Sequence, residues 1–301
     1  MTNTLVGMRR KIGSAQDLHG VVRAMKTIAA SGVAEYERSL LALEHYRRTV
    51  ELGLGACLRS AQPAGARPRG TRPVRDPASR MTVFVFGSDQ GLVGQFNESV
   101  ANFAVQVLAE ERGEQQVWAV GEHADTALAG AGVQVAGMLA VPATLQAIPD
   151  LVGQVLDHAP QANREGTSSE LHLFFNRPEP GEVPVPVHAK LLPLDEAWRR
   201  EMMDHAWPTR TLPQVFDRAE TTLAALIGEY LFIAIYAACA QSLASENSSR
   251  LAAMERADRN IADMLADLGA SYHRMRQASI DEELFDVISG FESLAAPHGA
   301  Q

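Results

Sequence analysis

The chain has 301 residues, a formal net charge of −9, 46% hydrophobic residues and 21% charged ones. That composition is globular, and the acidic balance argues against nucleic acid as the main partner. The two cysteines, Cys57 and Cys239, are too few for a disulfide framework and fit a reducing compartment.

Proline sets the outline. None occurs before Pro63 and none between Pro213 and Pro297. Because proline breaks helix interiors, both ends can be long helices and the middle cannot. The predicted layout is a helix over 1–60, a linker over 61–80, an α/β domain over 81–212, a second long helix over 213–296 and a tail over 297–301. Met1–Arg10 is not followed by an apolar run, so no secretory leader is expected.

The first helix has Asn3 or Thr4 as its N-cap. Its apolar stripe runs through Leu5, Met8, Ile12, Leu18, Val22, Met25, Ala29, Val33, Tyr36, Leu40 and Leu43. Small residues at Ala29, Ala30 and Gly32 allow a second backbone to approach closely. The stretch over 61–80 is rich in Pro, Gly and Arg and reads as a flexible connector.

From 81 the period changes. Met81–Phe86, Gln116–Val120, Val133–Ala136, Leu171–Phe175 and Val185–Leu192 read as strands, with helices over Glu98–Glu111, Glu122–Ala129 and Ala143–His158 between them. Such alternation predicts a small, mostly parallel, Rossmann-like sheet flanked by helices. The fold class is therefore α/β, combined with a long antiparallel coiled coil of the two ends.

The C-terminal segment carries the strongest pattern. Leu223, Leu226, Tyr230, Ile233, Ala237, Ala240, Ala244, Asn247, Leu251, Met254, Asp258, Ile261, Leu265, Leu268, Tyr272 and Met275 follow one another at alternating steps of three and four. A 3.5-residue repeat held this long implies a supercoiled partner helix. Residues 1–60 carry nine Lys/Arg against five Asp/Glu, and residues 214–301 six against thirteen, so the two ends have opposite sign. Leu223–Ala240 comes nearest to a membrane span, but Glu229 inside it would cost about 3 kcal/mol near a bilayer centre. It reads as a buried helix, with no direct membrane span.

Gly87-Ser88-Asp89-Gln90-Gly91-Leu92-Val93-Gly94 follows the first strand, where a glycine loop can cradle phosphate. The spacing is neither the dinucleotide fingerprint nor a phosphate loop, so a tight strand-to-helix turn is the better reading. The histidines are scattered without metal-ligand spacing, and there is no nucleophile elbow. No cofactor, metal or catalytic residue is expected. Two segments mix basic and apolar residues on a narrow helix, Arg23–Ser31 and Ser271–Ile280, which suits contact with an enclosing partner.

These segments resemble the two ends of the gamma subunit of F-type rotary ATP synthases. Met8-Arg9-Arg10-Lys11-Ile12, Arg23-Ala24-Met25 and Ala29-Ala30-Ser31 resemble its N-terminal signature. Gly91-Leu92-Val93-Gly94 with Asn97 resembles its glycine turn. Ala244-Ser245-Glu246-Asn247, Arg250-Leu251-Ala252-Ala253-Met254 and Arg276-Gln277-Ala278-Ser279-Ile280, followed by Glu283 and Leu284, resemble its C-terminal signature. Gly32 stands where that family usually has lysine, Val93 where it has cysteine, and Asp258-Arg259 replaces a more neutral pair. With the Arg-rich linker and Trp207-Pro208, these departures resemble the divergent branch called the alternate or N-type ATPase.

The resemblance implies a non-catalytic rotor in the central stalk, coupling ion flow through a membrane ring to ATP synthesis or hydrolysis on other chains. The implied partners are the alpha and beta subunits, the epsilon subunit and the ring of c subunits, with the protein peripheral on the cytoplasmic side of a bacterial or archaeal cell membrane. It also implies partner contacts at Arg23, Met25, Lys26, Arg276 and Gln277. Two alternatives remain at this point: a nucleotide- or phosphate-binding α/β enzyme with helical extensions, and a coiled-coil scaffold.

Overall fold

The computed structural model describes residues 4–60, 80–111, 113–159, 169–179, 181, 183–211, 213–215 and 219–295, with side chains of the last helix to 291. The linker expected over 61–80 falls outside these except for Arg80, which already belongs to the first strand, and the tail over 297–301 falls outside altogether. In chain order the elements are α1 (Leu5–Ser60), β1 (Arg80–Phe86), α2 (Phe96–Glu110), β2 (Glu114–Val120), α3 (Glu122–Gly130), β3 (Val135–Leu139), α4 (Ile148–His158), β4 (Ser169–Arg177), β5 (Val185–Leu192), α5 (Glu196–Asp204) and α6 (Ala219–Ala295). They form two compact units, Ala29–Arg250 and the two chain ends 1–28 with 251–301. Both α1 and α6 contribute residues to each unit.

The larger unit is built on a five-stranded sheet of order β3-β2-β1-β4-β5. Its pairs are parallel except β4 with β5. Alternation along β4 explains the layering. Leu171, Leu173 and Phe175 face a core shared with α4, Tyr36 of α1, and Ile235, Ala238, Cys239 and Leu243 of α6. Phe174 faces the opposite core with Val100, Ala104 and Leu108 of α2 and Ala124 and Leu128 of α3. Both faces are covered, so β1 reads as an unbroken buried run rather than an alternating one. A third cluster joins Val50, Leu54 and Leu58 of α1 to Met202 of α5 and Ile233 of α6.

α6 is long and apolar enough to cross a membrane by length and composition alone. Within its apolar stretch Ile233, Ile235, Ala238, Cys239 and Ala240 are buried in the protein core, while Leu223, Leu226 and Tyr230 are half-buried. Glu229 accepts a hydrogen bond of 2.7 Å from the Tyr46 hydroxyl.

Several local expectations shift for physical reasons. β3 begins two residues later than Val133, because the Val133 N–H closes the end of α3 on Leu128 O at 3.0 Å. α4 is shorter than Ala143–His158: a 3-10 turn at Leu145–Ala147 precedes it, and Pro149 sits in its first turn, where no donor is needed. α5 was not expected from the sequence. Asp195 caps it by accepting from Trp198 N–H at 2.8 Å, and Met202 anchors it in the third cluster. At the other end of the chain, Thr4 Oγ1 accepts from Gly7 N–H at 3.2 Å and caps α1; Asn3 lies outside the described residues.

The smaller unit pairs the start of α1 with the end of α6 around Val22, Met254 and Ile261, with Met25, Ala257 and Leu265 packed against them. Here the expected stripe needs correction. Leu18 is exposed, and the positions facing α6 are Met8, Ala15 and Val22, with His19 half-buried between them. The three-and-four register through Met8, Ile12, Ala15, His19 and Val22 hides from a hydrophobicity scan, because it passes through a small residue and a polar one.

Candidate functional site

The glycine turn is where a ligand would enter a sheet of this topology. Open α/β sheets bind ligands outside the carboxyl ends of their strands, at the point where strand order reverses. In this sheet that point lies between β1 and β4. The chain fills it with its own groups. Asn97, in the first turn of α2, accepts from Ser88 N–H at 3.0 Å and donates to Ser88 Oγ at 2.9 Å, and all of this is buried. Asp89 accepts from Glu122 N–H at 3.0 Å and from Val141 N–H at 2.9 Å. Its carboxylate thus occupies the α3 N-terminus, the position an anionic ligand would take. Gly121 makes this approach possible: at φ +105° it sits where a Cβ would come within 2.8 Å of the Ser88 carbonyl.

The mouth of the crevice is closed by α6. Ser245 Oγ donates to Asn176 O at 2.9 Å, and Asn176 Nδ2 donates to Phe96 O at 2.9 Å. Arg250 pairs with Glu246 at 2.7 Å and reaches Gln90 O at 3.3 Å. Burial pushes the Glu246 carboxyl up from its ordinary pKa and Arg250 opposes that rise, while Asp89 adds to it and His123 offsets it. The arrangement holds a helix against a turn, and it offers no open cradle for phosphate.

The candidate seam residues divide between the two units. In the larger unit Ile233 is buried, and Leu223, Leu226 and Tyr230 are half-buried against Val50, Leu54 and Leu58 of α1. At Gly32 the helices come so close that a Cβ would lie 2.8 Å from Asn247 Oδ1. In the smaller unit Met254 and Ile261 are buried, while Leu251, Leu265, Leu268, Tyr272 and Met275 are half-buried. Asp258 interrupts this apolar row and bonds to His19 at 2.8 Å and to Lys26 at 3.4 Å. The His19 hydrogen bond, aided by Lys26, holds its carboxyl below the usual range. Arg9 donates to the Tyr272 hydroxyl at 3.0 Å.

Among the residues expected to touch partners, Arg23, Arg276 and Gln277 are exposed. Met25 and Lys26 are half-buried and already engaged within the unit, one against the Val22–Met254–Ile261 cluster and the other with Asp258. Sequence reasoning missed a larger feature. Towards its end α6 exposes Ile280, Leu284, Phe285, Val287, Ile288 and Phe291. The signal was present as apolar residues continuing beyond Met275.

A family model described as ATP synthase matches residues 4–294. Among relatives named ATP synthase gamma chain, that of Pelotomaculum thermopropionicum is 26% identical over 97% of this chain and 99% of its own length. That of a Parafrankia species is 28% identical over 98% and 99%. The chain belongs to the ATP synthase gamma-chain family. Solved structures agree in fold. A chain of the Euglena gracilis mitochondrial ATP synthase (OSCP/F1/c-ring, rotational state 3) superposes with a TM-score of 0.61 at 16% identity, covering 99% of this chain and 96% of that one. A chain of the central stalk and c-ring of the Tetrahymena thermophila mitochondrial enzyme gives 0.54 at 20% identity, covering 79% and 99%. Gamma-family chains are central-stalk rotor subunits of rotary ATP synthases.

Proposed function

We propose that this gamma-family chain turns inside a ring of alpha and beta subunits and supplies no catalytic residue of its own. The observation that carries this is the end of α6, which exposes large apolar side chains from Ile280 to Phe291. Exposed apolar surface of this kind marks an interaction site, and apolar residues spread around a single helix suit a sleeve better than a flat partner. The same stretch contains Asp281, Glu282, Glu283 and Asp286, so basic groups are expected in the sleeve. Rotation would present Arg23, Arg276 and Gln277 to successive subunits, shifting their conformers through differences in affinity. The sheet unit would meet the epsilon subunit and the c-ring on the cytoplasmic side of the membrane.

Co-expression of the tagged chain with alpha and beta subunits from the same source tests this. The full-length chain should carry both subunits through purification and ATP hydrolysis should appear only in the complex, while Phe285→Asp/Phe291→Asp should lower the yield of complex severalfold. ATP hydrolysis by the chain alone, or full recovery of complex with the double variant, would overturn the reading.

A further inference from the structure

On the α2 side of the sheet, away from the crevice and the helix pair, four side chains form an unbroken polar chain across β4 and the edge strand β5. Lys190 Nζ lies 2.7 Å from Glu170 Oε1. Glu170 Oε2 lies 2.8 Å from His172 Nε2, and His172 Nδ1 lies 2.7 Å from His188 Nε2. His172 is 1% exposed. Strand register makes the cluster: His172 stands opposite Lys190, with Phe174 opposite His188, and the Phe174 ring stacks on His188 at 4.6 Å. The other neighbour of β4 places Val83 of β1 opposite His172, so the charged groups acting on the imidazoles are Glu170 on β4, Lys190 on β5 and Glu111 just beyond α2.

Hydrogen-bond direction follows from these partners. Burial pushes the Glu170 carboxyl up, but Lys190 and His172 together hold it below its ordinary value, so it is ionised and only accepts. His172 must therefore carry its proton on Nε2. Its Nδ1 is then a lone pair that accepts from the Nε2–H of His188. One added proton goes to His188 Nδ1, which leaves every bond of the chain intact and strengthens the link to His172. A second proton goes to His172 Nδ1 and sets two N–H donors against each other at the 2.7 Å contact.

We propose that Lys190–Glu170–His172–His188 is a proton-counting latch on edge strand β5, closed with none or one proton added to the imidazole pair and opened by the second. Burial, the leading influence on both rings, disfavours their charged forms, with His172 adding to it at His188, Lys190 adding to it at both, Glu111 opposing it at both and Glu170 opposing it at His172. Both steps therefore fall on the acid side of an ordinary histidine. A histidine whose folded pKa is lowered contributes stability that is complete above its unfolded value and is lost as pH falls through the folded one. β5 should thus be tightly held near neutrality and loosen only under acid stress, without loss of the parallel strands.

The test is a pH titration of the full-length chain, with imidazole protonation followed by long-range 1H–15N NMR and β5 amide exchange corrected for its intrinsic pH dependence. His188 should titrate first without effect on β5. Corrected exchange of the Val187–Lys190 amides should rise at least tenfold across the His172 step. His188→Gln, whose amide can donate to neutral His172 Nδ1 and turn to accept from it once protonated, should leave a single step with no β5 opening; His172→Gln should likewise abolish the acid opening. Exchange unchanged through the second step, or His172 titrating before His188, would overturn the proposal. Because His188 is only half-buried, its variant keeps the test decisive even if His172→Gln does not fold.

Discussion

Gly32 stands in mid-helix, where glycine costs about 1 kcal/mol relative to alanine, so an alanine there should stabilise the isolated helix. In the folded chain the opposite is expected. A Cβ at position 32 would lie 2.8 Å from Asn247 Oδ1 and 2.9 Å from its Cγ. Asn247 cannot simply turn away, because its Nδ2 donates to Leu243 O at 2.8 Å. Displacing it forfeits a hydrogen bond of about 1 kcal/mol and adds an overpacking term of about 1–3 kcal/mol. Against a propensity gain of about 1 kcal/mol, Gly32→Ala should destabilise the larger unit by about 1–3 kcal/mol. With Asn247→Ala in place the obstacle is gone, and the same change should stabilise by up to about 1 kcal/mol. The sign of the effect therefore depends on residue 247, and the coupling energy should be about 2–4 kcal/mol. Urea unfolding of the four proteins of this cycle, followed by fluorescence of Trp118 within the sheet, measures it. Equal effects of Gly32→Ala in both backgrounds would show that the helices do not approach as the structure has them.

Two further outcomes separate the assigned register from its neighbours. Leu265→Asp should cost the smaller unit about 2–4 kcal/mol by placing a carboxylate in the seam, while Leu18→Asp on exposed surface should stay within about 0.5 kcal/mol; hydrogen exchange of α1 amides reads both, and equal effects would refute the register. Tyr36 has its phenol pushed up to about 12, chiefly by burial and then by Glu35. Its contribution to stability is complete below the unfolded value near 10 and is lost as pH rises towards 12, so Tyr36→Phe should flatten the alkaline limb of the unfolding midpoint over that interval.

What could be read in advance depended on whether the signal was periodic and local. The α6 row was legible because only one helical register satisfies the 53 residues of alternating three and four steps from Leu223 to Met275. The five strands were legible because each is a short apolar run ended by Gly, Pro or a polar cluster. α1 was harder. Its seam passes through Ala15, His19 and Gly32, which a search for large apolar residues skips in favour of Leu18. Met25 and Lys26 carry a recognisable motif, yet their engagement with Ile261 and Asp258 depends on residues more than two hundred positions away. The Asp89 contacts, which settle the character of the glycine turn, span 33 and 52 positions and leave no local trace.

Those contacts also explain how a ligand-binding type of sheet can serve as a mechanical part. Helix α6 lies on the sheet through Ile235, Ala238, Leu243 and Ala244, and apolar contacts of that kind are non-directional, so they tolerate small slides. Ser245 on Asn176 O and Arg250 on Gln90 O do not. A slide of one residue, about 1.5 Å, or a rotation of about 100° would break both bonds. A buried polar group left without its partner typically costs about 1–3 kcal/mol, which penalises such alternative placements. Twist applied to α6 is thus handed to the sheet through directional bonds at the crevice. The groups that close this crevice against a ligand are the same groups that fix the helix to the domain, so an open binding site and a rigid joint exclude each other at this position.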